Sequence, residues 1–501
     1  MLVQKAIVSY SSNIFVQFLT LAATIIVARI VGPSVLGTVA FGLAFAKMFQ
    51  FVARLGAGTA NIKLISQGEN QDECIGTYTR IKLYLILLYV IVTLSFFIVQ
   101  KYIFNYRFES EIHEYVIYIS ILIVFLNEFI EIPRSVFSAN TEQAKKDIPE
   151  NIKSILYQVL RIIVVVLGYK AIAIALSNLA ASVIIIPVYL YLFKHYKIGK
   201  YNKKLAIKYR NIMIPVIFVG ITSTIIASAD KVILQYITCS EQVGYYVAGF
   251  RVGGFIRLIG GSVGILFFPT FSKAISNDQR EIINNYVIKF QKFSLFFIFP
   301  FIAVVVICSD IIVEITLGKD FLPAVPVLSI ITIALFFNTL TRPFSSILNG
   351  LGLFKLQAKV STITAVVLII SAFIFVSPFL LDMQSKGMAF SLLCSYIFMG
   401  LIFFFKANKH LKELNINPVI PIVIYSFIFL FLGFLLYEYI PDNYISKICF
   451  IVIYIFIYFF IGYIMNLIKK DDWRMLKELF NIRKILFYIK SEILNKDENS
   501  K

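Results

Sequence analysis

Long apolar runs separated by short polar connections fill this chain almost from end to end. About 20 apolar residues suffice to cross a bilayer as a helix. Fourteen such spans can be drawn, at about 12–32, 35–57, 83–104, 114–137, 151–169, 171–193, 211–235, 243–269, 290–309, 324–348, 357–379, 387–405, 418–438 and 444–468. The runs are continuous rather than alternating with period two, which excludes a transmembrane β-barrel. Between the first two, Gly32 and Pro33 end one helix and begin the next. The pattern predicts an all-α polytopic membrane protein of about 14 transmembrane helices.

Composition agrees: 59% of the 501 residues are hydrophobic, against about 45–50% in soluble proteins. The formal net charge of +19 would suit nucleic acid, but its placement does not. With the N-terminus inside, 32 of the 47 basic residues fall in inner connections, Lys63, Arg80, Lys82, Lys145, Lys146 and Lys153 among them, and six in outer loops. That asymmetry follows the positive-inside rule and places both termini in the cytoplasm. The short, weakly basic lead of the first span reads as a signal anchor.

With bases near the span ends counted with the connections, nine basic residues remain within the spans: Arg29, Lys47, Arg54, Arg134, Arg161, Lys231, Arg251, Arg257 and Arg342. A charge in mid-bilayer costs about 2.5–3.5 kcal/mol even on an insertion scale, so such residues should face a protein interior or a water-filled cavity. Lys47 and Arg54 stand two helical turns apart and share a face; Arg251 and Arg257, six apart, do not. Arginine offers a planar fork to phosphate oxygens and keeps its charge, so the set reads as a cationic, anion-binding cavity; the competing reading is structural ion pairing or snorkelling, above all for Arg29, Arg54 and Arg342 near helix ends.

Embedded acids are fewer. Glu128, Glu131 and Arg134 follow one another at i,i+3 spacing and can pair along one face, as can Asp230 with its neighbour Lys231. Glu128, Glu131 and Asp230 are also the candidates for binding a coupling H+ or Na+, with Glu128 the best placed because no base follows it closely. Gly249 with Gly253, and Gly260 with Gly264, make small-xxx-small patterns suited to close helix packing or bending. The five cysteines and three histidines are scattered, so no metal site or disulfide framework is expected, and no cofactor.

The chain restarts at its midpoint. Setting Gly37 on Gly244 aligns GPSVLGTVAFG with CSEQVGYYVAGF at an offset of 207 residues, and FSANTEQAKKD after span four matches LNGLGLFKLQAK after span ten. The expected organisation is an N-terminal lobe of six helices at 1–193, a basic linker at 194–210 lying on the anionic inner leaflet, and a second six-helix lobe at 211–405. An extra helix pair at 406–468 and a basic amphipathic tail at 469–501 complete it.

The succession ARIVGPSVLGTVAFG, ADKVILQYITCSEQVGYYVAGFRV, FFPTFS, DIIVEITLGKDFLPAVPVLSI and LNGLGLFK resembles the polysaccharide biosynthesis (Wzx-type) flippases of the multidrug/oligosaccharidyl-lipid/polysaccharide exporter superfamily. The resemblance implies two six-helix lobes around a cavity that opens alternately to either side. It also implies a substrate of the undecaprenyl-diphosphate-linked oligosaccharide type, a repeat unit of O-antigen, capsule or exopolysaccharide, moved outward across a bacterial cytoplasmic membrane. Cavity residues would come from the first, second, seventh and eighth helices: Arg29, Lys47, Arg54, Asp230, Lys231, Arg251 and Arg257. The extra pair resembles that of the lipid II flippases, where it bounds a groove for the lipid tail. Expected partners are the lipid-linked oligosaccharide, the membrane, and the polymerase and glycosyltransferases of polysaccharide synthesis, with no nucleic acid.

Two alternatives stay open within the same superfamily, a cation-coupled drug antiporter and a lipid II flippase. Organic cations favour an acidic cavity, and here embedded bases outnumber acids. An enzyme is not expected, because the outer loops are too short to hold a catalytic domain and no acid–base or metal cluster is legible.

Overall fold

The computed structural model describes residues 2–255, 279–411, 414 and 417–467. Every regular element among them is helical. The first half comprises α1 (Leu2–Met48), α2 (Gln50–Arg54), α3 (Ala57–Ser66), α4 (Gln71–Ile98), α5 (Glu111–Ala139), α6 (Gln143–Val166) and α7 (Ala171–Phe193). The second comprises α8 (Lys203–Ile237), α9 (Ser240–Gly253), α10 (Arg280–Phe293), α11 (Phe299–Ile307), α12 (Ser309–Thr316), α13 (Val325–Leu340), α14 (Arg342–Gly350), α15 (Phe354–Val376) and α16 (Gln384–Leu411). The extra pair is α17 (Ile420–Tyr437) and α18 (Tyr444–Ile464).

Ten helices among the described residues are long and apolar enough to span a membrane, against the fourteen spans expected. The first two spans form one helical run, α1, whose break is a single non-helical residue, Gly32 (φ 75°, ψ 177°). The helix that holds the fifth span, α6, carries Glu150, Lys153 and Arg161, and the eighth span, begun by α9, continues beyond the described residues. Arg257, Gly260, Gly264, the FFPTFS segment and the tail at 469–501 likewise lie outside them.

Each half has its own apolar core. Phe41, Phe45, Tyr89, Ile117 and Val124 centre the first. Leu234, Val243, Val327, Leu335, Leu368 and Leu392 centre the second. Gly249 and Gly253 let α9 lie close on α13, at Leu328 and Thr332. The halves join where α1 crosses α9, sealed by Ala28, Leu36, Tyr245, Ala248, Val313 and Phe321. The extra pair packs on α11 through Ile302, Val306, Ile422, Phe429, Tyr454 and Tyr458. The basic linker is fixed to the first half: the Gly199 N–H donates to the Asp72 carbonyl at 2.9 Å, and Gly199 lies against the backbone of Asp72 and Glu73.

Candidate functional site

The second membrane passage is broken in three pieces, and the break builds the site. α1 ends at Met48, α2 runs only to Arg54, and Leu55 (φ 35°) and Gly56 (φ 79°) turn the chain before α3. Freed carbonyls inside a membrane need partners, and broken helices are tolerated where protein or a cavity supplies them. Here α4 supplies them: the Tyr89 Oη donates to the Ala46 carbonyl at 3.0 Å, and the Lys82 Nζ to the Ala53 carbonyl at 2.8 Å.

Lys82 also donates to Glu128 Oε2 at 2.5 Å, while Gln50 Nε2 (2.6 Å) and Arg54 Nε (3.0 Å) donate to Oε1. Glu128 is wholly buried and Lys82 is 1% exposed. Lys82 therefore belongs to the interior, not to the inner connection in which its sequence position puts it. α4 starts at Gln71, capped by Asn70, whose side chain accepts from the Glu73 N–H. The Asn-x-x-Glu sequence at 70–73 is the readable signal for that start, and it sets Lys82 three turns inside a helix.

Beside this network lies a cavity of about 480 Å³, lined among others by Lys47, Gln50, Arg54, Asn127, Arg134, Glu150, Lys153, Tyr157, Asn178, Ser223 and Thr224. Its residues lie toward the linker-side ends of α5 and α6. Its acid is answered from within: Glu150 pairs with Lys153 (3.6 Å) and Arg134 (3.7 Å), and Arg134 also meets Glu131 at 3.3 Å. The spacing of Glu131 and Arg134 thus yields the expected pair, whereas Glu128 turns to α2 and α4.

Lys47 is different. Its side chain is exposed to the cavity and stands among the like charges of Arg251, Lys153, Lys231 and Arg54. Those bases come from α9, α6, α8 and α2, hence from both halves. Among the described residues no carboxylate pairs with Lys47. Lys231 pairs with Asp230 at 2.8 Å, Asp230 accepts from the Tyr246 Oη at 2.9 Å, and the Lys231 ammonium stands 5.8 Å from the Phe250 ring centroid.

Three of the expected binding residues stand apart. Arg161 donates to the Thr20 carbonyl (3.1 Å) and Thr24 Oγ1 (2.8 Å) and stacks over Tyr157, tying α6 to α1. Arg29 donates to the carbonyls of Glu314, Ile315 and Thr316 across the halves. Arg342 opens α14. Lys153, counted with the inner connections, instead lines the cavity and donates to Asn127 Oδ1 at 2.6 Å. Among the described residues no group of His, Cys, Asp or Glu could hold a metal ion.

The fold is thus a helical, multi-pass membrane protein of two halves, with a charged cavity lined by the first half and α8. The chain belongs to the polysaccharide biosynthesis protein family, whose model matches residues 26–326. Among solved structures it is similar to "Lipid II flippase MurJ, inward closed conformation", at 20% identity and TM-score 0.73 over 91% of this chain and 99% of that one. An inward-facing MATE multidrug resistance transporter of the MOP superfamily matches at 15% identity and TM-score 0.64, over 79% of this chain and 95% of the other. A MOP superfamily transporter from Pyrococcus furiosus, described by a binding pocket of reverse polarity, matches at 15% and TM-score 0.56, over 82% and 96%. These likenesses establish the fold alone. No curated protein matches the chain.

Proposed function

We propose that the protein is a flippase for an undecaprenyl-diphosphate-linked oligosaccharide, carrying the repeat unit of a cell-surface polysaccharide from the inner to the outer leaflet of a bacterial cytoplasmic membrane. The observation that carries the reading is Lys47, a base among bases that faces the cavity and pairs with no carboxylate among the described residues, while the cavity's Glu150 is paired with Lys153 and Arg134. A diphosphate answers that surplus, and charge-assisted bonds from Lys and Arg to phosphate are the strong kind. The neutral donors and acceptors of Gln50, Asn127, Asn178, Ser223 and Thr224 on the same wall suit sugar hydroxyls. The polyprenyl chain can stay in lipid throughout. An organic cation would meet repulsion at Lys47, which disfavours drug antiport.

The test is leaflet assignment of a lipid-diphosphate oligosaccharide in proteoliposomes. Protein-dependent flipping that falls in Lys47→Gln and survives in Lys47→Arg supports the reading. Uptake of an organic cation with no movement of any lipid diphosphate overturns it. Lipid II in a parallel arm separates the two lipid substrates. Within this reading, an H+ or Na+ coupled through Glu128 has to compete with Lys82 and Arg54, which already pair with it; flipping driven by either gradient, and uncoupled in Glu128→Gln, supports that assignment, while indifference to both gradients sinks it.

A further inference from the structure

At the end of the bundle away from the linker, two charged side chains of the first half cap helices of the second. Glu109, just before α5, sits at the N-terminus of α9. Its Oε1 accepts from the Ser240 N–H (2.8 Å) and Gln235 Nε2 (2.9 Å), and its Oε2 from Ser240 Oγ (2.7 Å). Arg29, near the end of the first membrane passage, sits at the C-terminus of α12. It donates to the carbonyls of Thr316 (2.8 Å), Glu314 (3.2 Å) and Ile315.

Both caps match the helix dipole, an anion at exposed N–H groups and a cation at exposed carbonyls. Neither residue is capping its own half. At its other end α12 is tied to the extra pair, through Asp310 with Tyr437 (2.8 Å) and Lys447 (3.1 Å). Buried His113 reinforces the Glu109 contact: its Nε2 lies 2.6 Å from Ser240 Oγ and 3.4 Å from Thr38 Oγ1, while Nδ1 lies 3.0 Å from Ser110 Oγ.

Free helix ends need such partners, the buried start of α9 at Ser240 above all, and an interface that must part cannot use a sealed apolar contact alone. We infer that Glu109 and Arg29 form a two-point latch that holds the linker-distal side of the cavity shut, and that both caps release when the protein opens to that side. The inference rests on the two-sided transport reading, but it is tested without substrate. Arg29 thereby changes role, from a phosphate ligand to a positioning residue for the closed state. Glu109 could not be found from hydropathy, since it lies in a connection and its partners are 126 and 131 residues away.

The experiment is electron–electron distance measurement in nanodiscs, with the five cysteines replaced and spin labels at Lys170→Cys and Lys386→Cys on the latch side. A second label pair at Gln67→Cys and Lys409→Cys reports the linker side. Charge-assisted hydrogen bonds set the scale: Glu109→Ala and Arg29→Ala should each raise the open-to-closed ratio at the latch side roughly tenfold or more. Lys101→Ala, which removes an ion pair to Glu114 within the first half at the same end, should leave it unchanged. Ser240→Ala, which trims the latch from the other half, should move the distribution in the same direction as Glu109→Ala and guards against a variant that does not fold. Unchanged latch-side distances in folded Arg29→Ala and Ser240→Ala protein would overturn the latch, whatever the substrate proves to be.

Discussion

Gly37 and Gly244 touch each other's helices reciprocally. A Cβ on Gly37 would lie 1.8 Å from the Ser240 carbonyl oxygen, and one on Gly244 would lie 2.0 Å from the Pro33 carbonyl oxygen. The pairs Pro33/Ser240 and Gly37/Gly244 are separated by the same 207 residues that align the two halves in sequence. The contact is therefore the one an internal two-fold axis generates, each repeat presenting the same patch to the other. Because the obstructing atoms are backbone, no rotamer change relieves the clash. Gly37→Ala and Gly244→Ala should each destabilise the closed arrangement by about 1–3 kcal/mol, the usual range for overpacking. The double variant should cost less than the sum, since parting the helices once relieves both. Unfolding temperatures and latch-side distances in the three variants check this; full additivity would mean that the two glycines do not share one crossing.

Lys47 offers the clearest separation of binding from architecture. It makes no ion pair with the described residues, so Lys47→Gln removes repulsion within the protein while removing attraction for an anion. The unfolding temperature should hold or rise, and lipid-diphosphate affinity should fall by about 10- to 100-fold, the worth of a charge-assisted bond. A loss of stability in Lys47→Gln would count against the cavity reading, because it would show that the ammonium serves a structural contact.

The Lys82–Glu128 pair makes the opposite forecast. Both groups are buried, so Lys82→Met strands a carboxylate beside Arg54 and Gln50 and deprives the Ala53 carbonyl of its donor. Breaking a buried pair from one side costs about 3–5 kcal/mol, whereas replacing both partners by apolar groups is often close to neutral. Lys82→Met should therefore lower the unfolding temperature sharply, and Lys82→Met with Glu128→Leu should recover much of it. A double variant no better than the single one would show that Lys82 acts mainly on the α2 break.

The membrane class, the repeat and the basic bias of the cavity are legible in the sequence because each rests on one-dimensional signals: run length, a 207-residue offset, and charges at embedded positions. The partners are not. Glu128 falls on the same helical face as Glu131 and Arg134 by its i,i+3 spacing, yet its contacts come from positions 46 to 78 residues away. Lys82 and Lys153 look like loop bases by hydropathy, since an apolar window begins after the helix does. Arg29 and Lys47 look alike as embedded bases, and only the tertiary fold sends one to helix carbonyls and the other to a cavity.

The long helix α8 belongs to both halves, and that gives the last forecast. Near its start Tyr209 Oη donates to Asn61 Oδ1 (2.7 Å) and to the Cys74 carbonyl (3.1 Å), mooring it to the first half. Further along, Leu234 lies in the core of the second. Any relative motion of the halves must then bend α8 between these points, and Gly220 lies there with nothing within 4 Å of where a Cβ would go. Alanine fits that space and removes the helix cost of glycine, so Gly220→Ala should stabilise the fold by about 0.4–1 kcal/mol. If bending at Gly220 is part of the cycle, the same variant should transport more slowly despite its greater stability. A stabilised variant with undiminished turnover would move the hinge elsewhere.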